Sequence, residues 1–204
     1  MYIPKQYEIH DIQEMKQFMK DHAFVTIVSV NQDGKPMATH MPVNVTETGD
    51  EIYISGHFAK GNTQWQTFEE ADDVLVIFQG PHSYISSTWY EKEDVPTWNY
   101  QSIQVYGRSR LLTEQELEQE LIKLLDRYEG HRDNGATWDN MSDQTRKQIK
   151  GIVGFELKVT EIAAAYKLSQ SRSESDRSQI VKELENSGHN LEQGVAQAMK
   201  QQGK

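Results

Sequence analysis

A hydrophobic period of two, sustained through two neighbouring segments, constrains this chain more than any other feature. From Lys35 to Thr46 one parity carries Met37, Thr39, Met41, Val43 and Val45, and the other carries Ala38, His40, Pro42 and Asn44. Successive strand residues point to opposite faces, so the segment reads as a strand with its first set of residues on a core. Glu51 to Phe58 repeats the pattern, with Ile52, Ile54 and Phe58 inward and Tyr53, Ser55 and His57 opposite. Asp33-Gly34 separates the first of these strands from the Val-, Ile- and Phe-rich stretch Ala23 to Asn31, and Thr48-Gly49-Asp50 separates the two from each other. Three strands joined by such turns predict an antiparallel meander.

The rest of the chain adds strands and helices without a parallel βαβ rhythm. Val74 to Phe78 is apolar at both parities, predicting a central strand that stops at Gly80-Pro81. Ser83 to Trp89, Tyr100 to Leu112 and Ile152 to Val159 read as further strands, with Ile103, Val105 and Leu111 inward on the second of them. Asp11-Ile-Gln-Glu14 and Thr113-Glu-Gln-Glu116 are capping boxes. The first starts a helix with Ile12, Met15 and Met19 on one face, and the second starts one with Leu117, Leu121, Leu124 and Tyr128 in phase. Asn62 can cap a helix carrying Trp65, Phe68 and Ala71, and a short helix follows Ser142. Beyond Leu168 the composition shifts to Ser, Gln, Glu and Arg. Two weakly amphipathic helices there, around Ile180-Val181-Leu184 and Leu191-Val195-Met199, are expected to pack on a partner or to fray. The expected architecture is mainly β within an α+β class, a small six-stranded antiparallel barrel with flanking helices.

Length and composition set the outer limits. At 204 residues and 36% hydrophobic, the chain can bury one sizeable core, so residues 1–168 are expected to form the main domain and 169–204 a helical extension. It has no Cys, which excludes disulfides and thiolate metal sites and fits a reducing cytoplasm. No stretch approaches the roughly 20 apolar residues that span a bilayer, so no membrane association is expected. The net charge of -10 repels phosphate backbones on average. There is no helix-turn-helix pattern, zinc finger or Lys/Arg run, and Arg108, Arg110, Arg172 and Arg177 make a thin basic footprint.

The outward parities are where chemistry could sit. His40, Asn44, Tyr53, Ser55 and His57 share one non-core surface, and Lys60, Gly61 and Asn62 follow it with a cation, a flexible link and a helix start, a combination suited to a phosphate. Spacing alone equally allows polar residues facing water beside an ordinary helix cap. Thr97-Trp98-Asn99-Tyr100-Gln101, just after Pro96, is either a strand-edge packing cluster or a place for a planar heteroaromatic ring. A metal site at His40, His57 and His82 lacks an i, i+4 pair and any companion carboxylate at a short fixed offset, and no Gly-x-Ser-x-Gly elbow exists for a serine nucleophile. Arg108 and Arg110 share a strand face, where solvated charge is the ordinary reading.

These segments resemble one family, the PaiB-type FMN-binding negative transcriptional regulators, also described as protease synthase and sporulation regulators. The likeness rests on Thr39-His-Met-Pro-Val43, Gly56-His-Phe-Ala-Lys-Gly-Asn-Thr-Gln-Trp65 and Phe78-Gln-Gly-Pro-His-Ser-Tyr-Ile85. It continues through Val95-Pro-Thr-Trp-Asn-Tyr100, Ile152-Val-Gly-Phe-Glu156 and Lys167-Leu-Ser-Gln170. Thr63, Ser87 and Ser171 depart from the family pattern, but none of the three removes a charged or aromatic group. The resemblance implies a Greek-key split barrel and a homodimer with FMN at its two-fold interface. His40, Met41 and Pro42 would line the isoalloxazine, His57, Lys60 and Asn62 would hold the phosphate end, and Trp98, Asn99 and Tyr100 would come from the second subunit. It implies a repressor of protease production and sporulation, working through a protein partner or on DNA. The same fold also supports a flavin-dependent reductase or oxidase, which would need a proton donor such as His40, Tyr84 or Tyr100 over the flavin.

Overall fold

A computed structural model of the chain describes residues 1–202 apart from Glu70 and Asp72. Its elements begin with α1 (Ile12–Asp21), where Asp11 Oδ1 accepts hydrogen bonds from the backbone N–H groups of Gln13 (2.8 Å) and Glu14 (3.2 Å). The helix buries Met15, Phe18 and Met19, whereas Ile12, expected on that face, is 41% exposed. β1 (Phe24–Val30) and β2 (Pro36–Pro42) then form the expected hairpin, in register from Phe24 opposite Pro42 to Val30 opposite Pro36. Gly34 supplies the left-handed φ of +78° in its turn, and Asn31 Oδ1 closes that turn by accepting from the N–H groups of Asp33 and Lys35.

The strand read as one piece from Lys35 to Thr46 is two. β2 ends at Pro42, and β3 (Asn44–Thr48) begins one residue later and pairs with β4 (Glu51–Ala59). β5 (Val74–Ile85), β6 (Thr97–Leu111) and β7 (Ile152–Lys167) complete one sheet in the order β2-β1-β5-β6-β7-β4-β3. The described residues therefore hold seven strands where six were expected. Gly80-Pro81, expected to end the strand, lies inside β5. A Cβ on Gly80 would come within 2.8 Å of the Phe18 ring, so glycine here admits a ring rather than ending the strand. The segment after it belongs to β5 as far as Ile85, and Ser87–Trp89 is a turn of 3-10 helix.

Contacts divide the chain into two units. One comprises Met19–Phe78 and Val105–Ile162. In it β2 and β3 stand at opposite ends of the strand order yet are joined through Val43 alone, so the sheet must curl enough to bring the end of β2 to the start of β3. The enclosed core centres on Phe58, Phe68 and Phe155, with ring centroids 4.8–5.3 Å apart and each residue no more than 1% exposed. Outside this core, α2 (Glu114–Glu129) carries its full capping box on Thr113 and Glu116. Arg110 grips the same Glu116 carboxylate through two hydrogen bonds (2.9 and 3.1 Å) and also reaches Glu156. Held first by Arg110 and then by the backbone and hydroxyl of Thr113, the Glu116 carboxyl titrates at about 2 instead of 4.5. A depressed folded pKa stabilises the fold above the unfolded value and loses that contribution as pH falls through the folded one. Between pH 4.5 and about 2 the urea midpoint should therefore drop more steeply in the wild type than in Glu116→Gln, and parallel curves would contradict this.

The other unit comprises Met1–Phe18, Gln79–Gln104 and Ala163–Lys204. Its helices α4 (Glu174–Glu185) and α5 (Asn190–Gln202) pack on each other. Ile180, Leu184 and Val195 are fully buried and Met199 is 1% exposed, all within this unit. Their sequences read as only weakly amphipathic because small residues, Ala196 and Ala198, also lie inward. Between the last two strands of the chain, α3 (Asp143–Arg146) follows its Ser142 cap as expected.

Candidate functional site

The segment after β4 is pinned at almost every residue. The Lys60 N–H donates to the Gly151 carbonyl (2.8 Å), the Lys60 carbonyl accepts from the Trp65 indole (3.1 Å), and the Asn62 N–H donates to the Ala59 carbonyl (2.9 Å). Asn62 Oδ1 caps Gln64 N (3.1 Å), while Asn62 Nδ2 donates to Thr39 Oγ1 on β2 (2.8 Å). Asn62 leads into a 3-10 helix of six residues, Thr63–Phe68, which carries Trp65 and Phe68 as expected but stops before Ala71. A helix so short has too few aligned peptides to draw an anion by its dipole, so any attraction for phosphate falls to side chains. Lys60 is the one placed for it: exposed, on a fixed backbone, with an ammonium that meets no acidic partner among the described residues.

His57 stands three residues earlier on β4, opposite Gly154 of β7 and half-buried. Burial lowers its pKa, which leaves a neutral imidazole near pH 7 able to donate one hydrogen bond and accept another. On β2, His40 is exposed and lies over the Phe24 ring, with centroids 6.5 Å apart and planes 23° from parallel. Pro42 faces Phe24 in the register. Met41 between them is 5% exposed with its side chain in the core, so on the His40 face it offers only main chain. The adjoining part of the non-core surface is closed by α2. Glu120 accepts from Asn44 Nδ2 (3.3 Å) and from the Ser55 hydroxyl and pairs with Lys123 (2.6 Å), which leaves Ser55 2% exposed. Although burial acts against it, hydrogen bonds from Lys123, Ser55 and Asn44 hold the Glu120 carboxyl below its ordinary pKa.

In the other unit, alternation separates the three residues grouped at the start of β6. Trp98 is 48% exposed, donates from Nε1 to His82 Nδ1 (3.3 Å) and meets the edge of Tyr84 (centroids 6.2 Å). Tyr100 shares that parity, whereas Asn99 is fully buried. Asn99 exchanges hydrogen bonds with Ser169 (2.9 and 3.2 Å) and touches Met199 Sδ at 3.6 Å, so its amide serves the interior. The arginines are committed as well. Arg110 holds Glu116 and Glu156, Arg172 pairs with Asp94 (2.5 Å) over the Tyr90 ring, and Arg177 donates to the Leu168 and Met199 carbonyls. Of the four, Arg108 alone has no such partner among the described residues.

Compared with known proteins, residues 1–161 match the family described as "Putative FMN-binding domain". The chain belongs to this FMN-binding family. FMN is the cofactor for which the family is named, and the chain is also similar to a protein from Bacillus subtilis, protease synthase and sporulation protein PAI 2. That relative is 50% identical over 187 residues, covering 91% of this chain and 90% of its own length. Two solved structures share the fold. The flavocytochrome Anf3 of Azotobacter vinelandii superimposes with a TM-score of 0.61 at 17% identity, over 87% of this chain and 78% of its own. The FAD and heme binding protein of Mycobacterium smegmatis does so with a TM-score of 0.59 at 16% identity, over 84% and 79%.

The groups an FMN-binding chain needs fit the residues that stand here. A phosphate requires an unpaired cation and donors held in place, which Lys60 and the remaining N–H of Asn62 provide. A planar ring system requires an exposed flat surface, which Phe24 and His40 provide. Phe24, 67% exposed, was legible as an apolar residue on the outward parity of β1 and was missed. Thr39 and Gln64, which fix the loop, gave no such sign, because one has core parity and the other lies in an ordinary turn of chain.

Proposed function

We propose that the protein binds FMN as a homodimer of the Greek-key split-barrel class and acts in the cytoplasm as a negative regulator of protease production and sporulation. The observation that carries the FMN reading is the Lys60 ammonium, unpaired among the described residues, on a loop anchored to β2, β4 and the segment before β7. Lys60, His57 and Asn62 would hold the phosphate end. His40, Pro42 and the main chain at Met41 would line the isoalloxazine, with Trp98 and Tyr100 of a second subunit covering it and Asn99 shaping the strand that presents them. FMN, when bound, supplies a centre that accepts and releases electrons. Residues 1–168 would form the FMN-binding part and 169–204 the helical extension, in keeping with a family match that ends at residue 161.

The regulatory half is supported by the 50% identity to the protease synthase and sporulation protein. Commitment of Arg110, Arg172 and Arg177 to internal partners argues that regulation passes through another component rather than through direct contact with DNA. Two measurements test the proposal. FMN added to the purified protein should give a protein-bound blue absorption band on a species of about twice 23.6 kDa by sedimentation. Overproducing the chain in a sporulating Bacillus host should lower secreted protease and spore counts. A monomer that still holds FMN would overturn the shared site, and unchanged protease and spore yields would overturn the regulatory role.

A further inference from the structure

Gln64 is 1% exposed and every polar atom of its side chain is bonded. Oε1 accepts from the Thr39 hydroxyl (2.6 Å), and Nε2 reaches the Ile27 carbonyl (3.2 Å), Ser29 Oγ (3.1 Å) and the Met37 carbonyl (3.2 Å). Thr67 Oγ1 closes the cluster by bonding both Ser29 Oγ (2.7 Å) and the Gln64 carbonyl (2.8 Å). Thr39 then hands the order outward. With its proton given to Gln64, its oxygen is oriented to accept from Asn62 Nδ2 (2.8 Å), and the Gln64 N–H is capped by Asn62 Oδ1 (3.1 Å). Asn62 is thus held from both sides by groups that Gln64 fixes, and one amide hydrogen is left over. Amide hydrogens lie in the plane of the amide, so fixing two of the bonds fixes where the third points.

We infer that Gln64 is a positioning residue for the FMN phosphate, acting through Thr39 and Asn62 without touching the ligand. This rests on the FMN reading above. Buried polar networks satisfied at every member specify one geometry, whereas a network with one member removed leaves a donor or acceptor stranded. Removing the Gln64 amide frees the Thr39 hydroxyl to turn, and the Asn62 amide loses its fixed acceptor. Lys60, whose backbone is anchored independently by Gly151 and Trp65, keeps its place. The phosphate site should therefore lose the directed amide donor and keep the cation.

The test compares FMN with riboflavin, which is the same ligand without the phosphate, by fluorescence titration of the full chain. Gln64→Met preserves length and burial but removes the amide, and Thr39→Val preserves shape but removes the hydroxyl. Each should weaken FMN about five- to thirtyfold while riboflavin changes by less than about threefold. Combining either with Asn62→Ala should add little, since all three remove one arrangement. Thr39→Ser, which restores the hydroxyl, should return FMN affinity to within about threefold of the wild type. If Gln64→Met does not fold, the Thr39 variants carry the comparison alone. Equal weakening of both ligands, or an unchanged preference for FMN in folded variants, would overturn the inference while leaving the FMN site itself standing. A wild-type chain that fails to prefer FMN over riboflavin would overturn the phosphate site and this inference together.

Discussion

Lys60→Ala should weaken FMN about five- to thirtyfold and leave riboflavin nearly unchanged. A charge-assisted hydrogen bond contributes about 1.5–3 kcal/mol where it is shielded from water. Lys60 is exposed in the chain, and solvent screening of an exposed charge moves the expectation to the bottom of that range and below it, about 1–2 kcal/mol. Because the contact is electrostatic, the difference between wild type and variant should shrink as salt rises and the Debye length falls from about 10 Å at 0.1 M to about 3 Å at 1 M. The backbone of residue 60 should not move, since both its bonds are made by main-chain atoms of Lys60. Isothermal titration at two salt concentrations decides it, and a loss that is equal for both ligands, or indifferent to salt, would remove Lys60 from the phosphate site.

Phe155→Ala should be the most damaging single change in the core around Phe58, Phe68 and Phe155. Phe155 lies 5.3 Å from Phe58 and 4.8 Å from Phe68 between ring centroids, all three at 0–1% exposure, so truncation removes one corner of a closed triangle. Loss of a buried Phe with partial collapse of the cavity costs about 3–5 kcal/mol. Whole domains are stable by only about 5–15 kcal/mol, so urea unfolding should shift to far lower denaturant. Phe155→Leu, which leaves a smaller void, should fall between wild type and alanine. A change below about 1 kcal/mol would mean that the core rearranges around the gap.

Period-two arithmetic made the inward faces of β2, β3 and β4 legible, since Met41, Val43 and Val45 are buried, as are Ile52, Ile54 and Phe58, while Ser55 on the other parity of β4 is buried beneath α2. The same regularity concealed the break at Val43. Alternation continues across the bend without a missed beat, so nothing in the pattern signals that Asn44 has changed partners. Gly80-Pro81 misled for a related reason. The residue that explains the glycine, Phe18, is remote in sequence and only the packed structure sets it there. Among site residues, strand parity alone is enough to separate Met41 from His40 and Asn99 from Trp98. The position-by-position resemblance grouped them because it carries motifs and not side-chain directions. Gln64 lay outside any such reading. Its bonds reach Ile27, Ser29 and Met37, and no local pattern encodes partners so distant.

The anchoring of Lys60 to Gly151 gives the loop after β4 a place in time as well as in space. The β1–β2 and β3–β4 hairpins join neighbours and can form as soon as they are made, but β4 pairs with β7 across about a hundred residues, the kind of contact that closes slowly. The carbonyl that fixes Lys60 belongs to the residue immediately before β7. A nascent chain released short of residue 151 can therefore own every proposed phosphate ligand and still lack the main-chain acceptor that holds Lys60 in place. The loop acquires that anchor only when the chain reaches β7.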